Sequence, residues 1–124
     1  MFRTVFSTLV AVLLATSITA TAQPRPAIKA ADGTLTNAAG MTLYVFDKDA
    51  GGKSACNGPC TANWPPLTVA GGGAASGDWT IVVRDDGTKQ WAYKGKPLYM
   101  WSKDAKPGDK TGDGINSVWH VAKD

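Results

Sequence analysis

The octapeptide Thr42-Leu43-Tyr44-Val45-Phe46-Asp47-Lys48-Asp49 returns later in the chain as Pro97-Leu98-Tyr99-Met100-Trp101-Ser102-Lys103-Asp104, displaced by 55 positions throughout. At the same displacement Gly40 matches Gly95 and Trp64 matches Trp119. Upstream, Gly33-Thr34 resembles Gly87-Thr88, with one extra residue in the second copy. Such agreement marks a duplicated segment. It constrains the fold strongly, because each copy must be a supersecondary unit that buries its apolar face against the other. The copies span residues 32–70 and 86–124, and a loop containing Gly71-Gly72-Gly73-Ala74-Ala75-Ser76-Gly77 joins them.

Each copy begins as a β-hairpin. In the second, residues 89–93 form one strand, Lys94-Gly95 supplies the turn, and residues 96–101 return. In the first, residues 34–36 and 41–46 flank Asn37-Ala38-Ala39-Gly40. Alternation places Tyr44 and Phe46, and likewise Tyr99 and Trp101, on one face of each return strand. Leu43 and Val45, or Leu98 and Met100, take the other face. Apolar residues on both faces predict central, buried strands. Residues 79–83 predict a further strand and residues 117–121 a last one. A turn or two of helix is expected near residues 61–64, stopped by Pro65-Pro66. Composition agrees: all ten acidic residues are Asp, none is Glu, and 14 Gly and 7 Pro favour turns over helix. The expected fold class is mainly β, a small antiparallel β-domain of two internal repeats with little helix.

The N-terminus reads as an export signal. Arg3 precedes an uncharged stretch, residues 4–22, with its apolar centre at residues 9–15. It ends in Ala20-Thr21-Ala22, the small-x-small pattern of a signal peptidase site. The apolar centre is short for a bilayer of ~30 Å, so cleavage after Ala22 is expected rather than a stable membrane anchor. Residues 1–22 are then the signal peptide and 23–31 an N-terminal extension. Residues 32–124 form a single domain, in a mature protein that is periplasmic or secreted. Its charges are interspersed, and no basic stripe points to nucleic acid. An oxidising compartment should join Cys56 and Cys60, the two cysteines.

These residues resemble a known bacterial family. Tyr-x-aromatic-x-x-Asp occurs at Tyr44, Phe46 and Asp49 and again at Tyr99, Trp101 and Asp104. Between the copies stands Cys56-x-Gly58-x-Cys60-x-x-x-Trp64-Pro65-Pro66; Gly108-Asp109, Gly112-Asp113-Gly114 and Val118-Trp119-His120-Val121 follow. The pattern is similar to the family described as a secreted repeat, or lipoprotein with Yx(FWY)xxD motif, over nearly all of the mature chain. The family has no settled biochemical activity, so the resemblance implies a relative and no reaction. Many members are lipoproteins, anchored through a Cys directly after the signal. Here no Cys precedes Cys56, which predicts a soluble, unlipidated product.

Several residues carry a functional expectation beside a structural one. The repeat aromatics, with Trp64 and Trp119, serve either as core or as a recognition surface. Trp79 and Trp91, outside the exact repeat, are the better candidates for exposed anchors. Asp49 and Asp104 either cap turns or bind a cation or share a proton. Asp104, Asp109 and Asp113, with Asn116, form an oxygen-rich loop that does not match an EF-hand. His120, with Met41 or Met100, is a conceivable ligand set for a soft metal or haem. The Cys56–Cys60 pair has three intervening residues and no βαβ context, against redox exchange. No nucleophile elbow, paired glycosidase carboxylates or phosphate loop is present. The expectation is a non-enzymatic binding or interaction domain of the cell envelope, its partner a protein or small ligand and no cofactor required. The alternative is a metal-, haem- or redox-handling protein.

Overall fold

In a computed structural model the described residues are 28–30, 32–70 and 73–124. The signal segment lies outside them. Strands β1 (Ile28–Lys29), β2 (Leu35–Thr36) and β3 (Tyr44–Phe46) are followed by a single helical turn, α1 (Cys60–Asn63). Then come β4 (Trp79–Val83), β5 (Lys89–Tyr93), β6 (Lys96–Pro97), a 3₁₀ turn at Ile115–Ser117 and β7 (Trp119–Val121). All pairings are antiparallel: β1 with β2, β3 with β7, and β4-β5-β6 in order. The fold is mainly β with little helix, as the composition implied.

The two copies are intertwined around a pseudo-twofold centre. Tyr44 and Tyr99 exchange backbone hydrogen bonds, N to O in each direction, at 2.8 and 2.9 Å. Outward from this pair the bonds repeat: Ala122 N donates to Leu43 O as Leu67 N donates to Leu98 O, and Asp47 N donates to Val118 O as Ser102 N donates to Asn63 O. The return strand of each copy thus lies against the closing segment of the other. Neither copy can bury its strand alone, which explains the exchange. At the hairpins Leu43 N donates to Leu35 O where Leu98 N donates to Trp91 O, so Leu35 is equivalent to Trp91 and the second hairpin is one residue shorter between these positions.

The expected strands are shorter in regular form. Residues 96–101 form a ladder only at Lys96–Pro97; beyond it Tyr99 bridges both Tyr44 and Pro66. The last strand starts at Trp119, because Asn116 and Ser117 adopt positive φ of 51° and 58°. Lys94 (φ 49°) and Gly95 (φ 81°) make the left-handed pair that a tight two-residue hairpin requires. Ile28–Lys29, in the segment read as an extension, adds a strand beside β2.

Alternation does divide the return strands into two cores. Leu35, Leu43, Leu98 and Ala122 form one, flanked by Val45, Leu67, Trp79, Tyr93 and Met100. Tyr44, Cys56, Trp64, Tyr99 and Trp119 form the other, with Phe46 and Trp101 against it. Trp91 is buried and Trp79 half-buried, which corrects their expected role as exposed anchors. β5 is a central strand, with β4 and β6 on either side, and its Trp91 is 6% exposed.

Candidate functional site

The repeat motif works crosswise. Tyr44 of the first copy donates its hydroxyl to Asp104 Oδ2 of the second at 2.7 Å, and Tyr99 of the second donates to Asp49 Oδ2 of the first at 2.8 Å. Each Asp holds its own loop with the other oxygen. Asp104 Oδ1 accepts from Thr111 N and Oγ1 at 3.0 and 2.6 Å; Asp49 Oδ1 accepts from Ala55 N at 2.6 Å. The spacing in Tyr-x-aromatic-x-x-Asp therefore places a Tyr facing one way and an Asp at the strand end, each completed by the other copy. Burial, then the neighbouring carboxylate, pushes the Tyr44 phenol well above its ordinary range; burial first and Asp49 as a lesser cause push Tyr99 up to about 12. Burial also raises Asp49, against the pull of the Ala55 amide, Tyr99 and Arg84.

Beside this centre lies a buried cation for which the sequence carries no signal. Arg84, 4% exposed, donates from Nη1 to Ser54 Oγ and Gln90 Oε1, both at 2.8 Å. Its Nη2 donates to Cys56 O at 2.6 Å and Asn57 Oδ1 at 3.2 Å. Ser54 in turn is hydrogen-bonded to the Tyr99 hydroxyl. Arg84 follows a strand and precedes Asp85-Asp86-Gly87, a context that reads as an ordinary exposed turn. The Cys56–Cys60 disulfide is formed, and it closes the loop that presents the Cys56 carbonyl to Arg84.

The second core is a stack of four rings. Phe46 lies on Trp119 (4.2 Å, 3°), Trp119 on Trp64 (3.8 Å, 3°) and Trp64 on Trp101 (4.1 Å, 31°). The order alternates between copies, so the stack obeys the same pseudo-twofold relation. Tyr44 meets Trp64 edge-on at 5.3 Å and Tyr99 meets Trp119 at 5.1 Å. Gly112 is required here: a Cβ would lie 2.8 Å from Trp64 and 2.9 Å from Trp101. Its amide donates to the Tyr44 hydroxyl at 3.2 Å.

The remaining sequence candidates do not converge. Met100 Sδ accepts from Asn37 Nδ2, Asp109 Oδ2 accepts from the Ala105 and Lys106 amides, and Asp113 Oδ1 accepts from Val121 N. Among the described residues no group of three or more His, Cys or Asp side chains is arranged to hold a metal. His120 pairs instead with Asp47, Nε2 to Oδ2 at 2.7 Å, at one wall of a cleft of about 300 Å³. Val45, Leu98, Val121 and Ala122 line its apolar part; Lys94, Lys96 and Lys123 stand at its rim beside Tyr93, whose hydroxyl is hydrogen-bonded to Asp124. Asp47 and the rim lysines were not singled out by the sequence, since each reads as a solvated charge.

No described helix is long and apolar enough to cross a membrane. No curated protein and no solved structure matches the chain. A family model described as a secreted repeat of unknown function matches it twice, over residues 27–68 and 80–123, which are the two intertwined copies. The chain therefore belongs to that family of secreted repeats.

Proposed function

We propose that this protein is a non-enzymatic binding domain of the cell envelope, exported by a signal peptide cleaved after Ala22 and left unlipidated, whose ligand sits in the cleft beside His120. One observation carries the reading: the pseudo-symmetry breaks at this cleft. The lining residues Asp47, Lys96, His120 and Lys123 correspond, at the 55-residue displacement, to Ser102, Met41, Pro65 and Thr68. Packing of the repeat frame is served by the neutral set, so the charged set answers to something else. An apolar floor with three lysines in its lining suits a small ligand with an apolar body and an anionic group. The cleft lining holds one carboxylate, Asp47, hydrogen-bonded to His120, against three lysines, which favours an anion.

The reading is tested by amide NMR titration of the mature chain with phenylacetate and, as the opposite charge, phenethylamine. Phenylacetate is expected to shift Val45, Lys96, His120 and Val121, and Lys96→Glu to abolish those shifts. Shifts confined to other surfaces, or equal response to the amine, would overturn it. The intact mass of exported protein, expected to begin at Gln23, tests processing.

A further inference from the structure

The outer edges of the two hairpins are built differently. In the first copy the outer strand β1 is two residues long, and one of them is Lys29. Short length and an edge lysine both keep a sheet edge from pairing further. In the second copy the outer strand is β4, Trp79-Thr80-Ile81-Val82-Val83, five residues of high strand propensity with no charge. Lys94 N donates to Asp78 O and Arg84 N to Thr88 O, so in this register the even-numbered residues of β4 bond to β5. The N–H and C=O of Trp79, Ile81 and Val83 therefore point outward. Trp79 is covered, because it exchanges both bonds with Ser76 at 3.0 and 2.9 Å. Ile81 and Val83 have no outward backbone partner among the described residues. Val83 is also 64% exposed, the one large hydrophobic so exposed among them.

We propose that the outer edge of β4 pairs antiparallel with β4 of a second copy of this chain, about a twofold axis at Val82. That axis sets Ile81 opposite Val83 of the second copy, and Val83 opposite its Ile81. Each of these two pairs exchanges both bonds, so every outward group of Ile81 and Val83 is used. Moving the axis to Ile81 sets Val83 opposite Trp79, whose groups Ser76 already holds. Moving it to Val83 sets Ile81 opposite Asp85, which lies in the turn closed by Gly87 N to Arg84 O. The free edge is therefore complementary to itself in one register. Residues 79–83 carry no charge that a second copy would oppose with the same sign. Ile81 and Val83 share one face of the strand, so pairing lays Ile81 of the second copy beside the exposed Val83. So small an interface makes the association weak and reversible. This inference is independent of the cleft and its ligand.

The pairing is tested on the mature chain by sedimentation equilibrium from micromolar to millimolar protein, with amide hydrogen exchange over the same range. A monomer–dimer equilibrium is expected, with exchange at Ile81 and Val83 slowing by at least about tenfold as dimer forms while Trp79 stays unchanged. Val83→Lys, at an exposed position, is expected to weaken association by at least about tenfold. Ile81→Pro removes an outward N–H that the fold does not use and is expected to do the same. The lysine variant decides the matter where the proline disturbs β4. A chain that stays monomeric throughout would overturn the proposal. So would a dimer indifferent to Val83→Lys, or one whose newly protected amides lie elsewhere. Protection of Ile81 and Val83 only on addition of a Thr-Val-Thr-Val-Thr peptide would assign the edge to a different chain and overturn it as well.

Discussion

Around Tyr44 and Tyr99 the backbone bonds and the Tyr–Asp bonds of the two copies match; along the closing segments the copies part. Beyond the shared Leu43–Ala122 and Leu98–Leu67 bonds, one side presents Pro65 to Met100 and Pro66 to Tyr99, the other His120 to Val45 and Val121 to Tyr44. At the centre Trp64 stacks on its counterpart Trp119 and each Tyr is completed by the other copy's Asp, so a substitution in either copy disturbs both. At the periphery a residue faces solvent and can change alone. The difference teaches that symmetry reports on stability here, while its loss locates the surface available for recognition.

Five experiments break or sharpen this comparison. The largest effect is expected at the centre: Trp64→Ala and Trp119→Ala should each lose roughly 3–5 kcal/mol in denaturant unfolding, by matching amounts. A near-parental midpoint for either one would end the equivalence of the copies. Next come the phenols. Tyr44→Phe leaves Oδ2 of the buried Asp104 without its phenol and should cost about 1–3 kcal/mol, more than Tyr99→Phe, because Asp49 is half-exposed.

The same hydroxyls predict an alkaline limit. An unfolded tyrosine titrates near 10.0, and Tyr99 in the fold near 12. Between these values the native state binds the extra proton, so stability present below pH 10 falls as pH rises toward about 12. Melting temperature against pH should show that fall, and Tyr44→Phe/Tyr99→Phe should flatten it. An unchanged slope would mean that other groups set it.

Smaller losses are expected away from the centre. Cys56→Ser should remove about 2 kcal/mol or less, since the closed loop is short, and leave the fold intact. Failure to fold at room temperature would show that the Cys56 carbonyl beside Arg84 depends on the disulfide. Smallest is the cleft, where His120→Ala and Lys96→Ala should stay within the ~0.5 kcal/mol typical of exposed positions. A large loss at His120 would make the cleft part of the frame and remove the argument from broken symmetry.

Much of the fold was legible in the chain because its signals are local or repetitive. The 55-residue displacement, the period-two alternation at residues 43–46 and 98–101, the Lys94-Gly95 turn and the Asp-rich composition each report on a few neighbouring residues. The disulfide followed from two cysteines and an oxidising compartment. Trp79 and Trp91 went astray because exclusion from the repeat says nothing of burial. That β5 runs between two partners was decided by pairing across the sheet.

What the chain by itself determined is that two like units must share a core, with Tyr and an aromatic on one face and Leu on the other. Only the tertiary structure decided that each Tyr meets the other copy's Asp, that Trp rings from alternate copies stack in one line, and that Arg84 is buried among Ser54, Gln90 and the Cys56 carbonyl. The reason is physical. Side-chain direction along a strand is set within a few residues by backbone geometry, whereas partners up to 60 positions apart meet only where two strands cross.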